Sequence, residues 1–175
     1  FRYDFAVLLG QARAAHPDRF APIDRERNKD HTRELVGFLP WAITEYYAKL
    51  KSEFSYLKAY QNYGGTPDEI ANAQANVIYI MGVMGHFVAD CSQPLHVTKH
   101  HHGWVGENPN GYSTNRSFHG WIDGGYFHKI GGLKAESLAG KIKPAQRAGN
   151  TNQPAGFFNA MVEYVVADHK LVEPL

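Results

Sequence analysis

An all-α fold, a helical bundle with one long irregular loop, is what this sequence predicts, and three observations predict it. Apolar residues recur at i, i+3, i+4 and i+7 in several separate segments. No stretch alternates apolar and polar residues with period two for long, so no half-buried strand is expected. Helix punctuation also falls where the periodic segments begin and end.

The elements follow in order. Residues 4–15 (DFAVLLGQARAA) read as a helix with an Ala/Leu face. Residues 16–33 are polar, charged and broken by proline, and read as a loop. Pro40 suits the first turn of a helix, where its missing N–H costs nothing. From 41 to 60, Ile43, Tyr46, Tyr47, Leu50, Phe54 and Leu57 mark one helical face, expected to be core together with Phe157 and Phe158. Gly64-Gly65 breaks the chain. Thr66-Pro67-Asp68-Glu69 then supplies a hydroxyl cap, a proline at the first helical position and acids in the first turn. The helix it opens, to about Cys91, is the longest. It carries apolar residues on both sides (Ile70, Val77, Met81, Met84 and Val88 against Tyr79 and Val83), so a central, buried position is expected. Residues 97–117 read as a long loop, 117–129 as a short helix and 154–172 as a last amphipathic helix. No internal repeat or low-complexity segment interrupts the 175 residues, which suit one domain with a sizeable core.

Composition narrows the chemistry. With 43% hydrophobic and 13% aromatic residues the chain is not disordered. A formal net charge of +1 implies no general attraction to nucleic acid or membrane, and no apolar run nears the ~20 residues that span a bilayer. Ten histidines against one cysteine point to metal chemistry on imidazole and carboxylate rather than to a disulfide scaffold or a thiolate zinc finger. Cys91 has no partner for a disulfide within the chain and reads as a buried spectator.

The residues that carry the chemistry lie in GHFVADCSQPLH, residues 85–96. His86 and Asp90, at i and i+4, share one face of the longest helix and can converge on one ion, or simply hydrogen-bond to each other. A buried aspartate needs such a partner. A second His-x-x-x-Asp pair, His119 and Asp123, follows in HGWID, and His96 lies between the pairs just past Pro94. Two His/Asp pairs plus one turn histidine make five nitrogen and oxygen ligands of the kind zinc takes.

GHFVADCSQPLHV, the GW-x-G-x-NPNGY loop and FHGWID resemble the zinc-dependent phospholipase C and single-strand-specific nuclease superfamily. The central match covers about 40 residues, 85 to 123, with weaker likeness at LPWAI (39–43) and in the last helix. The resemblance implies hydrolysis of phosphodiesters with a zinc-activated water and up to three zinc ions. It implies that His86 binds one zinc, that Asp90 bridges that zinc to a second and positions the water, and that His96, His119 and Asp123 hold a third. It also implies a periplasmic or secreted setting, although no signal peptide is visible. The family places further ligands near a mature N-terminal tryptophan. This chain starts at Phe1, without methionine and inside an amphipathic segment, with His16 and His31 as the in-chain substitutes. It is therefore expected to be processed or part of something longer, with residues 1–175 forming one domain that lacks its N-terminal part. The family's disulfides are absent.

For substrate, Lys99, the His100–His102 run and Arg116 could meet phosphate, while Trp104 and Tyr112 could stack on bases. The same residues suit a solvated loop whose aromatics pack on the bundle. The histidine run could also bind metal adventitiously. Asn108 and Asn110 are expected to fix a turn around Pro109, Trp121 to sit in the core or a pocket wall, and His128 and His169 to be structural. The leading expectation is a nuclease acting on single-stranded nucleic acid, favoured over a phospholipase C acting on phospholipid head groups by the loop's resemblance to bacterial members. A helical protein stapled by a structural zinc is the reading from another class; an open position on the metal separates the two. Phosphohydrolases built on an adjacent His-Asp pair rank low, since only Asp30-His31 and Asp168-His169, in the reverse order, occur here.

Overall fold

The computed structural model describes residues 2–20, 22–31, 37–146 and 155–175. Among them the fold is all-α, with no strand. α1 spans Arg2–Ala15, α2 Leu39–Tyr63 and α3 Pro67–Asp90. A long loop follows, and then a helix in three parts: α4 (Phe118–Gly120), a π-helical turn (Trp121–Gly125) and α5 (Tyr126–Lys129). A short α6 (Ala135–Ala139), which the periodicity had not suggested, precedes α7 (Gly156–His169). The segment expected to be a plain loop after α1 contains 3-10 turns at Pro17–Arg19 and Arg25–Arg27. His31 within it has φ 58°.

The centre of the fold is the antiparallel hairpin of α2 and α3. Its turn needs both glycines, for different reasons. Gly64 adopts φ 89° at the end of α2 and donates its N–H to the Tyr60 carbonyl. Gly65 passes so close to Tyr60 that an added Cβ would lie 2.5 Å from the tyrosine Cβ. α3 then starts with a reciprocal cap: the Thr66 hydroxyl accepts from Glu69 N, and the Glu69 carboxylate accepts from Thr66 N at 2.8 Å.

The inward stripe of α3 runs through Ala73, Val77, Ile80, Met84, Phe87 and Cys91, spaced by four and three residues. That of α2 runs through Ile43, Tyr46, Leu50, Glu53, Leu57 and Tyr60, spaced by three and four. Such a 3.5-residue repeat is what two helices need to keep one seam facing the other. It also explains a correction. Phe54, expected in the core, falls one position off the seam and is 49% exposed, while Glu53 takes the inward place.

A second correction concerns α3 itself. It is not central: Ile78 and Tyr79 are each 70% exposed, because α2 is the helix that covers it and covers one side. Aromatic contacts fasten the other helices to α2. α7 stacks Phe157 on Tyr47 with centroids 4.1 Å apart and sets Phe158 4.5 Å from Trp41. α1 brings Phe5 against Phe38 and Trp41. Cys91 ends α3 fully buried, as expected of a spectator thiol.

Two outcomes test this packing. Thr66→Ala removes the cap and should cost about 1 kcal/mol, read as a lower urea midpoint; an unchanged midpoint would contradict the capping role. Burial, helped by the negative charges of Asp90 and Asp168, pushes the Cys91 thiol up to about 11. A disulfide reagent at pH 8 should therefore leave the native chain unlabelled and modify one thiol per chain in denaturant, and prompt labelling of the native state would refute the burial of Cys91.

Candidate metal centre

Four residues after α3 ends at Asp90, the chain reverses through a 3-10 turn, Pro94–His96. Gln93 fixes it. Its side-chain carbonyl accepts from Leu95 N at 2.9 Å, Pro94 occupies a position that needs no donor, and Leu95 is buried as an anchor. His96 is thereby turned toward the split helix, where His119 comes from α4 and Asp123 from the π turn. The wider π winding is accommodated by Gly125, where an added Cβ would lie 2.9 Å from the Trp121 ring.

Three donor atoms meet there. His96 Nε2 is 2.8 Å from His119 Nε2, Asp123 Oδ2 is 2.6 Å from His119 Nε2, and 3.8 Å separates Asp123 Oδ2 from His96 Nε2. The circle through three atoms so spaced has a radius of about 1.9 Å, so one ion just off their plane can meet all three at the ~2.0–2.2 Å of imidazole and carboxylate bonds to a metal. His96, His101 and His119 also form a group whose ring nitrogens all lie within 4.8 Å of one another and that could hold a metal ion.

The rear atoms of these side chains are tied as well. His96 Nδ1 lies 3.1 Å from Asp90 Oδ1. The Gln93 side-chain amide donates to Asp123 Oδ1. His101 Nδ1 donates to the Leu95 carbonyl at 2.8 Å, which leaves its Nε2 as the lone-pair nitrogen. Such outer contacts fix the tautomer and orientation of metal ligands. His119 is 8% exposed, and its imidazole is held below the usual histidine range by burial and by the neighbouring histidines His101, His96 and His102, against the opposing pull of Asp123. A neutral imidazole is the form that binds a metal.

Of the residues expected from the sequence, His96, His119 and Asp123 come together, with Asp90 touching His96. His86 stands apart: its ring is 3.5 Å from Asp90 Oδ2, its side chain is 72% exposed, and it is not part of the three-histidine group. His16 and His31 are exposed and also outside that group. Lys99 and Arg116 are exposed on the loop. Trp104 is clasped by other rings, His100 at 3.7 Å and nearly parallel, Tyr112 at 4.3 Å. The Tyr112 hydroxyl bonds Glu173. Asn108 fixes the loop as expected, its amide group bonding both N and O of Tyr112, and Asn110 bonds the Tyr112 hydroxyl. His169 has the expected structural place, its Nδ1 donating to the Val97 carbonyl at 3.0 Å. Trp121 is 43% exposed, so it is not core.

Two residues gained a place that sequence reasoning had not given them. Gln93 was visible only as part of the QPLH turn, although a side chain with both an acceptor and a donor suits the bridge it makes. His101 was hidden in a run of three histidines, with no periodicity to say which of them turns inward.

No family model matches the chain, and neither the curated proteins nor the solved structures contain a match to it.

The buried imidazoles set a pH dependence. His100 is also held below the ordinary 6.5, by burial first and then by the nearby Lys99 and His169. The unfolded chain takes up protons below about pH 6.5 that His100 and His119 refuse when folded, so their contribution is present above 6.5 and lost as pH falls toward their lower folded values. Asp168 acts oppositely, because burial raises its carboxyl above 3.8 and its charge burdens the fold less as pH falls. In chelator, the urea midpoint should drop between pH 7.5 and pH 5.5. A midpoint that does not move would overturn this account.

Proposed function

We propose that the protein is a zinc-dependent phosphodiesterase that cuts single-stranded nucleic acid. The observation that carries this reading is the convergence of His96 Nε2, His119 Nε2 and Asp123 Oδ2 around one point, with Asp90 and Gln93 bracing two of the three from behind. Its support is the chemistry of the donor set and the resemblance of residues 85–123 to the phospholipase C and nuclease superfamily.

His96, His119 and Asp123 would hold the ion. When bound, zinc supplies Lewis acidity, lowering the pKa of a water toward 7 and neutralising phosphoryl oxygens. The reaction adds water across a P–O bond to give a phosphomonoester and an alcohol. The chain's own groups do the rest. Asp90 orients the His96 ring. Lys99 and Arg116, exposed on the loop, would be cations available to the substrate's phosphates. On the resemblance, Asp90, whose second oxygen lies 3.5 Å from His86 Nε2, would share a further ion with His86 and position the water there. On the same resemblance, such an enzyme works in the periplasm or outside the cell.

The test uses the metal-loaded protein on single-stranded DNA and, in parallel, on phosphatidylcholine. DNA should be cut and phosphatidylcholine spared, chelation should abolish cutting, and Asp90→Asn should slow it by about 10- to 100-fold or more. Cleavage of phosphatidylcholine alone would make the protein a phospholipase C. Hydrolysis of neither substrate by the zinc-loaded chain, or full activity in Asp90→Asn, would defeat the reading as stated.

A further inference from the structure

We propose that His101 is the fourth protein ligand of the metal centre, so that the loop arrangement seen here closes the ion off from solvent. The inference rests on the metal reading above and deepens it. Two observations point to His101. Its ring nitrogen lies within 4.8 Å of those of His96 and His119. Its Nδ1 is spent on the Leu95 carbonyl, one of the partners that metal-binding histidines take, which leaves Nε2 for an ion.

The loop is built to hold His101 there. Gly103 runs against the returning strand of the loop, where an added Cβ would lie 2.8 Å from the Thr114 backbone, and its φ of 100° is one that other residues rarely adopt. Trp104 N donates to the Ser113 carbonyl at 2.7 Å, and the His100 ring accepts from Val105 N. His101 is therefore pinned between the Pro94–His96 turn and a braced loop. Together with His96, His119 and Asp123 it makes three nitrogens and one oxygen, a complete tetrahedral set for zinc. Water or substrate would then reach the ion only in exchange for His101.

Cobalt(II), added to the metal-free chain and read by its visible absorption, tests this without any measurement of activity. The unmutated chain should give the intense bands of tetrahedral cobalt, and azide should not change them. His101→Ala should bind cobalt at least tenfold more weakly and give fainter bands that azide shifts, with added imidazole restoring the original spectrum. His101→Gln serves the same purpose if circular dichroism shows that the alanine variant has lost helix. The proposal is overturned if the His101 variants keep affinity, intensity and indifference to azide, or if azide shifts the unmutated spectrum as readily as theirs. His119→Ala separates the two levels of the argument. If it loses cobalt while the His101 variants do not, the metal centre stands without His101. If the unmutated chain binds no cobalt, both readings fall.

Discussion

The meeting of His96 and His119 through their ring nitrogens is the contact on which the functional end of the molecule depends. Two Nε2 atoms at 2.8 Å cannot both carry a proton, and they cannot both present a bare lone pair without repulsion. Either one proton lies between them or one cation does. The surroundings weigh on that choice. His96 faces the Asp90 carboxylate with its other nitrogen, which favours a proton there and a lone pair on Nε2. His119 is buried among histidines, which disfavours its charged form. His101 brings a third imidazole nitrogen within 4.8 Å of theirs, and Asp123 a carboxylate oxygen 2.6 Å from His119 Nε2. Such a concentration of lone pairs is poorly matched by the protons available and well matched by one divalent ion.

That contact also joins parts of the chain that have little else in common. α2 and α3 hold each other by a regular apolar seam, and α7 is fastened to α2 by stacked rings. The split helix α4–α5 has no comparable seam. Its ties to the α3 end of the molecule are polar and local: His119 to His96, and Asp123 to Gln93. Apolar burial is non-directional and tolerates small displacements, whereas these contacts demand particular atoms at particular distances. The precision of the centre therefore comes from the Gln93–His96 turn and its neighbours, with the α2–α3 hairpin as the rigid base from which that turn projects.

How much of this was legible in the sequence follows from the range of each interaction. The capping box at Thr66 and Glu69, the Gly64-Gly65 turn and the helix ends are decided within a few residues, and they were readable. The face of α2 was read to within one position. Phe54 looked inward on a 3.6-residue wheel, and only the pairing with α3, which selects a 3.5-residue seam, turns Glu53 inward instead. The exposure of Ile78 and Tyr79 was not readable, because two apolar faces declare an appetite for partners and not how many are met. At the centre, His96, His119 and Asp123 stood out through spacing and chain order. His101 and the bridging role of Gln93 did not, since both depend on how a loop and a turn meet in space.

Asp90 is the hinge between what is enclosed and what faces water. One oxygen is 3.1 Å from His96 Nδ1, the other 3.5 Å from His86 Nε2. A continuous line of polar contacts thus runs from His86, in solvent, through Asp90 and His96 to His119, Asp123 and Gln93. A carboxylate shared by two imidazoles couples them, so that a change in what His86 contacts is felt at His96. Exposed His86 and half-buried Asp90 are therefore continuous with the candidate centre: they form the outward end of one line of polar contacts, through which conditions in solvent reach the buried His119.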